Sequence, residues 1–259
     1  MASLDINVRQ ANADFQAVKD KIITNGVDVA EGTPTADYAS KIDEVYEAGR
    51  KSRYDEFWDE IQDYGKRVNY SLALCGSHWT KRNFKPKYPI KPTLSMANCF
   101  AYWNELLNTE LIDFREVCEL DTSNVQSINS AFYANRLVYA IGTLDLRNAN
   151  AIDGAFNAAI SLVIIEKIIL GDNYKSFNNM FYDCKALEEV RFEGEIRLNN
   201  LNLQWSTKLS HDSLMSIINA LRDNSGTDTW NTITLGAENL AKLTTEELKI
   251  MDTKQWEYT

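Results

Sequence analysis

The sequence of 259 residues is poor in the residue types that build metal and redox sites. It contains four cysteines and two histidines, and no two cysteines have the Cys-x-x-Cys spacing of a metal site or a redox disulfide. A cysteine outside such a pattern is usually a small buried side chain. We therefore expect free thiols in a reducing compartment, and no bound metal or cofactor.

Positive charge and long apolar runs are also scarce. Lys and Arg number 27 against 37 Asp and Glu, which gives a net charge of −10. Phosphate groups and anionic membrane surfaces repel such a chain, so we expect no direct nucleic-acid binding. No run approaches the roughly 18 apolar residues of a membrane span, and the first residues lack the features of a secretory signal. These absences predict a soluble protein without membrane insertion.

A segment of 13 residues occurs twice in the middle of the chain. Leu120–Phe132 and Leu144–Phe156 begin 24 residues apart and are identical at six positions. A unit of this length cannot bury its own apolar face, so successive copies must stack on one another. The period predicts a solenoid in which the Phe that ends each copy stacks inside.

Further copies extend the repeat on both sides. One ends at Phe181, and a degenerate one ends at Phe100, so an insertion must precede Phe132. Apolar pairs with the alternation of a half-buried strand follow each Phe. We predict one parallel strand per copy at these pairs: Ile112 and Phe114, Leu144 and Leu146, Ile168 and Leu170, and Val190 and Phe192. The asparagines predicted to bond open backbone groups in the following bends are Asn124, Asn148 and Asn173.

The copy that ends at Phe181 resembles a known family. Its segment Asn179–Leu187, which reads Asn-Met-Phe-Tyr-Asp-Cys-Lys-Ala-Leu, is similar to the bacterial-surface-protein (BspA-like) leucine-rich repeats. Other copies depart from the pattern, with Ala131 and Ala155 in place of Met. The resemblance covers residues 95–200. It implies an α/β fold, namely a leucine-rich-repeat-like parallel solenoid.

Two regions precede the repeats. In residues 1–50, apolar residues at helical spacing predict two short helices separated by Asn25 and Gly26. This hairpin resembles one near the start of many tail- and baseplate-associated proteins of phages and prophages of Gram-positive bacteria, which implies attachment or homo-oligomer assembly. The alternative is a helical cap on the solenoid. Residues 51–94 are predicted to form an amphipathic helix and an extended lead-in.

A C-terminal α/β cap is predicted over residues 201–259. Ser210 is a suitable N-cap for one helix, and Thr244 begins a capping pattern for another. Residues 230–236 predict a strand, and the chain is expected to finish on an edge strand at residues 256–259.

No pattern singles out residues for catalysis. Cys75 and His78 stand three residues apart, but no third group accompanies them. His211 lies at a predicted helix start, where capping residues are common, and no Gly-rich phosphate loop with its Lys is present. We therefore predict a protein that is not an enzyme, with no catalytic and no metal-binding residue.

A binding surface is predicted where the chain turns outward after the repeated Phe. Tyr and Arg, both common interface anchors, occur there in two copies. The candidate binding residues are Tyr133, Asn135, Arg136, Tyr182, Asp183 and Lys185. The two tyrosines could alternatively pack between turns.

These features predict a non-enzymatic repeat protein that binds a protein partner or a host-surface ligand. The resemblance implies that it is a tail- or baseplate-associated component of a phage or prophage virion. The alternative is a soluble phage-encoded effector in the bacterial cytoplasm, where the acidic charge would suit the inhibition of a basic, nucleic-acid-handling protein. A bacterial cell-surface adhesin is disfavoured because no signal peptide or anchor is visible.

Overall fold

The structure, a computed structural model, describes part of the chain. The described residues are Leu74, Cys75, Phe84, Pro86, 89–104 and 110–259. All of them belong to one compact unit, Ile61–Thr259. The predictions for residues 1–50, for the amphipathic helix that follows them and for His78 lie outside the described residues. Within the described ranges, no helix is long and apolar enough to cross a membrane.

A parallel sheet of four strands runs through the repeats. Its strands, in spatial and in chain order, are β1 (Ile112–Asp113), β2 (Val138–Leu146), β3 (Ile164–Leu170) and β4 (Glu189–Glu193). The register pairs Leu144 with Ile168, and Ile168 with Phe192. These apolar positions are one period apart in the sequence, so the predicted mixed α/β fold with one parallel strand per copy is confirmed.

The insertion before Phe132 contains a short helix, α1 (Phe114–Val117), which follows β1 directly. The Asp113 side chain caps this helix by accepting a hydrogen bond from the Arg115 backbone N–H at 2.9 Å. The prediction of a strand through Phe114 is therefore wrong, because the cap turns the chain into a helix. Phe114 is still buried, and its ring stacks on Phe84 at 5.1 Å.

The repeated phenylalanines form a continuous stack in the core. The ring centroids of Phe100 and Phe132 are 4.9 Å apart, and the next two steps, to Phe156 and to Phe181, are 5.5 Å each. All four side chains are at most 1% exposed. The predicted stacking is confirmed, and Phe100 extends it into the degenerate copy. Because a fully buried Phe contributes about 1.5–3 kcal/mol, the stack is a main source of stability.

The segment around each Phe, which we name the return limb, is tied to the next copy by backbone hydrogen bonds. The four return limbs are residues 96–103, 128–135, 152–159 and 177–184. The N–H of Phe132 donates to the Ala155 carbonyl at 2.7 Å, and the N–H of Phe156 to the Met180 carbonyl at 3.0 Å. In every limb, the residues two before and two after the Phe have φ between 51° and 60°. This alternation directs every second N–H toward the neighbouring copy.

The bends after the strands bring successive copies into close contact. Gly194 has a φ of 89°, and a Cβ at this position would lie 2.4 Å from the Leu170 carbonyl oxygen, so only glycine fits. In an earlier bend, the Asn148 side chain donates to the Ser123 carbonyl at 2.7 Å, as predicted. Asn124 instead donates to the Ser123 hydroxyl at 3.2 Å.

The C-terminal region adds a second parallel sheet, in the order β5-β6-β7. Its elements are β5 (Leu201–Asn202), α2 (His211–Ala220), β6 (Asn231–Thr234), α3 (Ala237–Leu240), α4 (Thr245–Thr253) and β7 (Trp256–Tyr258). Ser210 caps α2, and Thr244 forms a capping box with Glu247, as predicted. The predicted strands are confirmed as β6 and as β7 at the sheet edge. The short elements β5 and α3 have no predicted counterpart.

Buried polar side chains hold this region together. Asn239, which is fully buried, donates to the carbonyls of Leu203, Ser206 and Leu235 at 2.9–3.2 Å. The Lys254 ammonium donates to three carbonyls at the end of α2, and burial lowers the pKa of this amine. Satisfying these backbone groups allows the chain to turn inside the core.

Candidate functional site

The structure places five of the six predicted binding residues at or near the surface. Tyr182 is 42% exposed, Arg136 and Lys185 are also exposed, and Tyr133 and Asp183 are partly exposed. Asp183 and Lys185 form an ion pair, with 2.7 Å between Lys Nζ and Asp Oδ1. Tyr133 and Arg136 lie in one copy, whereas the other three lie two copies further along the stack.

Asn135, the sixth residue, is in the core. It is 1% exposed, its amide nitrogen donates to the Phe100 carbonyl at 2.7 Å, and its amide oxygen accepts from the N–H groups of Leu137 and Val138 at 2.9 Å. We therefore exclude Asn135 from the surface. Because an amide fully engaged with buried backbone has no atom left for a ligand, its role is to join two copies.

The sequence contains a signal for this burial. Asn135 stands three residues after its Phe, as do Ala159 and Cys184 in the next two copies, and all three are buried. The Cys184 thiol lies 3.0 Å from the Phe156 carbonyl oxygen, so it makes the same contact to the preceding copy as Asn135 does. Alignment of the copies therefore identifies this position as internal.

The cysteines take no part in a disulfide. All four are free thiols, of which Cys99, Cys118 and Cys184 are buried. Burial raises the pKa of each of these three thiols, that of Cys118 to about 12. The predicted buried thiols are thus confirmed at three positions, and the reducing compartment stays a prediction.

Exposed aromatic side chains follow the outer side of the return limbs. The position directly after the repeated Phe holds Tyr133, Asn157 and Tyr182 in successive copies, which we name the outer row. Tyr133 contacts Tyr102 at a centroid distance of 5.3 Å, and Tyr182 contacts Trp205 at 6.4 Å. The alternative prediction, that both tyrosines pack between turns, therefore holds only in part, because Tyr182 remains largely exposed.

Tyr102 and Trp205 were not among the predicted site residues, although they are 49% and 44% exposed. The aromatic residue of the degenerate copy stands one position later relative to its Phe, and Trp205 lies beyond the repeats. Their sequence positions therefore do not reveal the alignment with Tyr133 and Tyr182, which arises only when the copies stack.

A groove of about 250 Å³ runs beside the outer row, and we name it the amide groove. Its lining residues come from equivalent positions of three copies, and most carry an amide or a hydroxyl group. They are Asn129, Ser130, Tyr133, Asp153, Gly154, Asn157, Asn178 and Asn179. The groove follows from the period itself, because each copy adds side chains of similar chemistry at the same place.

A ladder of side-chain to backbone bonds fixes the base of the amide groove. The Asn129 amide oxygen accepts from the Asp153 backbone N–H at 2.9 Å, and the Asp153 carboxylate accepts from the Asn178 backbone N–H at 2.8 Å. Ser176 also donates its hydroxyl to that carboxylate at 2.5 Å. These bonds hold the side chains in place before any ligand arrives.

A second groove, the strand-end groove, lies at the bends after the strands and has a volume of about 710 Å³. Its lining residues are all polar: Thr93, Asn124, Gln126, Asn148, Asn150, Asn173 and Lys175. Two of its asparagines, Asn124 and Asn148, bond within or between copies. None of these described lining residues is aromatic, which distinguishes the strand-end groove from the amide groove.

Charges on the sheet face are largely paired with one another. Arg147 forms a two-pronged hydrogen bond with Asp145, which lowers the pKa of that carboxyl group. Lys167 of β3 makes a single contact with Glu193 of the neighbouring strand β4 at 3.0 Å. This face therefore presents ion pairs more than free charge.

Among the residues that the structure describes, no group of three or more His, Cys, Asp or Glu side chains could hold a metal ion. His211 lies at the start of α2 as expected, and its Nε2 is 2.9 Å from Glu247 Oε1. Together, the fold and the site define a parallel repeat structure whose outer side carries aromatic and amide side chains. Comparisons with protein-family models, with curated proteins and with solved structures gave no match.

Proposed function

We propose that this protein is a non-enzymatic binding protein in which residues 95–200 form a leucine-rich-repeat-like solenoid that recognises a protein or a host-surface ligand. The observation that carries the proposal is the outer row, in which Tyr182 is exposed and Tyr133 and Asn157 are partly exposed, with its exposed flanking aromatic residues, Tyr102 and Trp205. Stacked repeats present an extended surface of this kind, and exposed Tyr and Trp side chains are frequent anchors of binding.

The proposed setting is the tail or baseplate of a phage or prophage virion. Support comes from the resemblance of the repeats and of residues 1–50 to such proteins. In this setting the first 50 residues attach the chain to its own copies or to a neighbouring virion protein, and the repeats face the host. Part of the chain thus serves assembly and part serves recognition.

The assembly role can be tested by light scattering on the full chain and on a chain that begins at Tyr54. We expect an oligomer for the full chain and a monomer for the shorter one. Two monomers would remove the homo-oligomer from the proposal and leave residues 1–50 as a cap or as a contact to a different virion protein.

The second candidate is a soluble effector that binds and inhibits a bacterial protein. The net charge of −10 favours it, because an acidic surface attracts basic, nucleic-acid-handling proteins. In this case the ligand lies inside the cell, and the binding weakens steeply with salt.

Adsorption to cells separates the two candidates. The labelled full chain is incubated with intact cells of a panel of Gram-positive strains, and separately with clarified cytosol from the same strains. The virion proposal predicts saturable adsorption to intact cells of at least one strain. A chain that adsorbs to no strain, but forms a salt-sensitive stoichiometric complex in cytosol, would favour the effector instead.

A further inference from the structure

The amide groove contains side chains with unused hydrogen-bonding capacity. Among the described residues, the side-chain amides of Asn157, Asn178 and Asn179 make no hydrogen bond to the protein, and Asn129 uses only its oxygen. Each primary amide offers two donor hydrogens and an acceptor oxygen. In contrast, the buried Asn135 and Asn239 bond the backbone. The groove therefore presents a set of donors and acceptors to a ligand.

The repeat stack holds two of the lining side chains, Asn129 and Asp153, in position. Asp153, which lines the groove, is fixed by the Ser176 hydroxyl and by the Asn178 backbone N–H. Its carboxylate has further acceptor sites beyond these bonds. Because a side chain that is already ordered loses little entropy on binding, Asp153 can accept hydrogen bonds from a polar ligand without reorganising.

Aromatic rings accompany the amides. Tyr133 lines the groove itself, and its partner Tyr102 is exposed beside it. The outer row continues with Asn157 in the next copy and with Tyr182 in the copy after that. These two copies are neighbours in the stack, because the Ala158 N–H donates to the Tyr182 carbonyl at 2.7 Å. With copies about 4.8 Å apart, Tyr133 and Tyr182 stand roughly 10 Å apart along the stack. Amides and exposed rings thus alternate along one line.

This combination matches the chemistry of a sugar chain. A pyranose ring has an apolar face of C–H groups, which can pack on an aromatic ring, and hydroxyl groups that each act as donor and acceptor. The centre of a protein interface is richer in apolar side chains than this groove, whose described lining residues include no aliphatic side chain. Among the described residues of the lining, Asp153 is the one charged residue, and the net charge is −10, so an anionic ligand is disfavoured.

We infer that the amide groove and the outer row form a binding site for a neutral glycan. This inference rests on the proposed recognition function and names the chemical class of its ligand. A glycan chain lies along the stack, its hydroxyl groups bonded to Asn157, Asn178 and Asn179 and its ring faces packed on Tyr133 and Tyr182.

The test uses the labelled full chain and intact cells of a strain to which it adsorbs. The cells are treated with periodate, which cleaves vicinal diols of sugars, or with protease. We expect periodate to weaken adsorption by about tenfold or more, and protease to leave it unchanged. If protease treatment of the cells abolished adsorption and periodate treatment left it unchanged, the glycan inference would be wrong. The proposed recognition function would still stand.

Variants locate the site. The pair Asn157→Ala and Asn178→Ala is expected to weaken adsorption by about tenfold, with an unchanged melting temperature. The matched control, Asn150→Ala with Asn173→Ala, removes two exposed amides from the strand-end groove and is expected to bind as the wild type does. If only the control variant lost adsorption, the assignment of the binding site to the amide groove would be wrong. If the wild-type chain adsorbed to none of the strains, the proposed recognition of a host surface would be wrong, and so would the glycan inference that rests on it.

Discussion

The inner and outer sides of the return limb have the same period but different chemistry. The inner row repeats one residue type, and its members are Phe100, Phe132, Phe156 and Phe181, each almost completely buried. The outer row, one residue further along the chain, holds Tyr133, Asn157 and Tyr182. Tyr182 is exposed to solvent, and the other two are partly exposed. The inner side must fill the same space in every copy, whereas the outer side is free to vary. The difference indicates where stability resides and where we propose that a ligand binds.

The largest effect is expected from a cavity in the inner row. Phe156→Ala removes the ring that contacts both Phe132 and Phe181, so we expect a loss of about 3–5 kcal/mol in the free energy of unfolding. Chemical denaturation of the full chain measures this loss. Asn157→Ala, the adjacent substitution on the outer side, should change stability by less than about 0.5 kcal/mol. Similar losses for both variants would show that the inner and outer rows contribute equally to the free energy of unfolding.

Asn135 provides a sharper version of the comparison. Asn135→Ala leaves the Phe100 carbonyl and two buried N–H groups without their partner, and we expect a cost of about 1–3 kcal/mol in the free energy of unfolding. Arg136→Ala changes the next, exposed side chain and is expected to cost less than about 0.5 kcal/mol. If Arg136→Ala were the more damaging of the two, the assignment of Asn135 to the core would be wrong.

A smaller effect on stability is expected from the ion pairs on the sheet face. Hydrogen bonds from Arg147 lower the folded-state pKa of Asp145, and those from Ser123 lower that of Asp121. A carboxyl group with a lowered folded pKa stabilises the protein above its unfolded pKa of about 4, and this stabilisation is lost as the pH falls through the folded value.

The melting temperature should therefore decrease as the pH is lowered from 5 to about 3. Asp145→Asn should make this decrease shallower, while costing less than about 1 kcal/mol at neutral pH, since Arg147 is largely exposed. If the melting temperature of Asp145→Asn changed with pH as that of the wild type does, the Asp145–Arg147 pair would not contribute to the pH dependence of stability.

Much of the fold could be predicted from the sequence, because stacked copies repeat the same local requirement. The stacked Phe residues, the parallel strands, and the caps at Ser210 and Thr244 all follow from residue type and spacing. The helix α1 could not be predicted, since it lies in an insertion that interrupts the period. The short elements β5 and α3 depend on tertiary contacts more than on any local pattern.

The candidate binding surface is harder to predict than the fold. Tyr133 and Tyr182 are predicted to be accessible because they follow the repeated Phe, and their role in binding stays a prediction. Asn135 was misassigned, because a polar residue beside a Phe suggests exposure unless the copies are aligned to show its buried equivalents, Ala159 and Cys184. The amide groove combines residues from three copies, so it emerges only once the register between them is known.

The most direct test of the outer row as the recognition surface is a titration of intact cells with the full chain. We expect the combined variant Tyr133→Ala with Tyr182→Ala to bind at least about tenfold more weakly than the wild type, while its unfolding free energy stays within about 1 kcal/mol. Trp230→Ala is the matched control, because Trp230 is 48% exposed in the C-terminal region, outside the return limbs. Its binding should equal that of the wild type. Undiminished binding by the tyrosine variant would contradict the account.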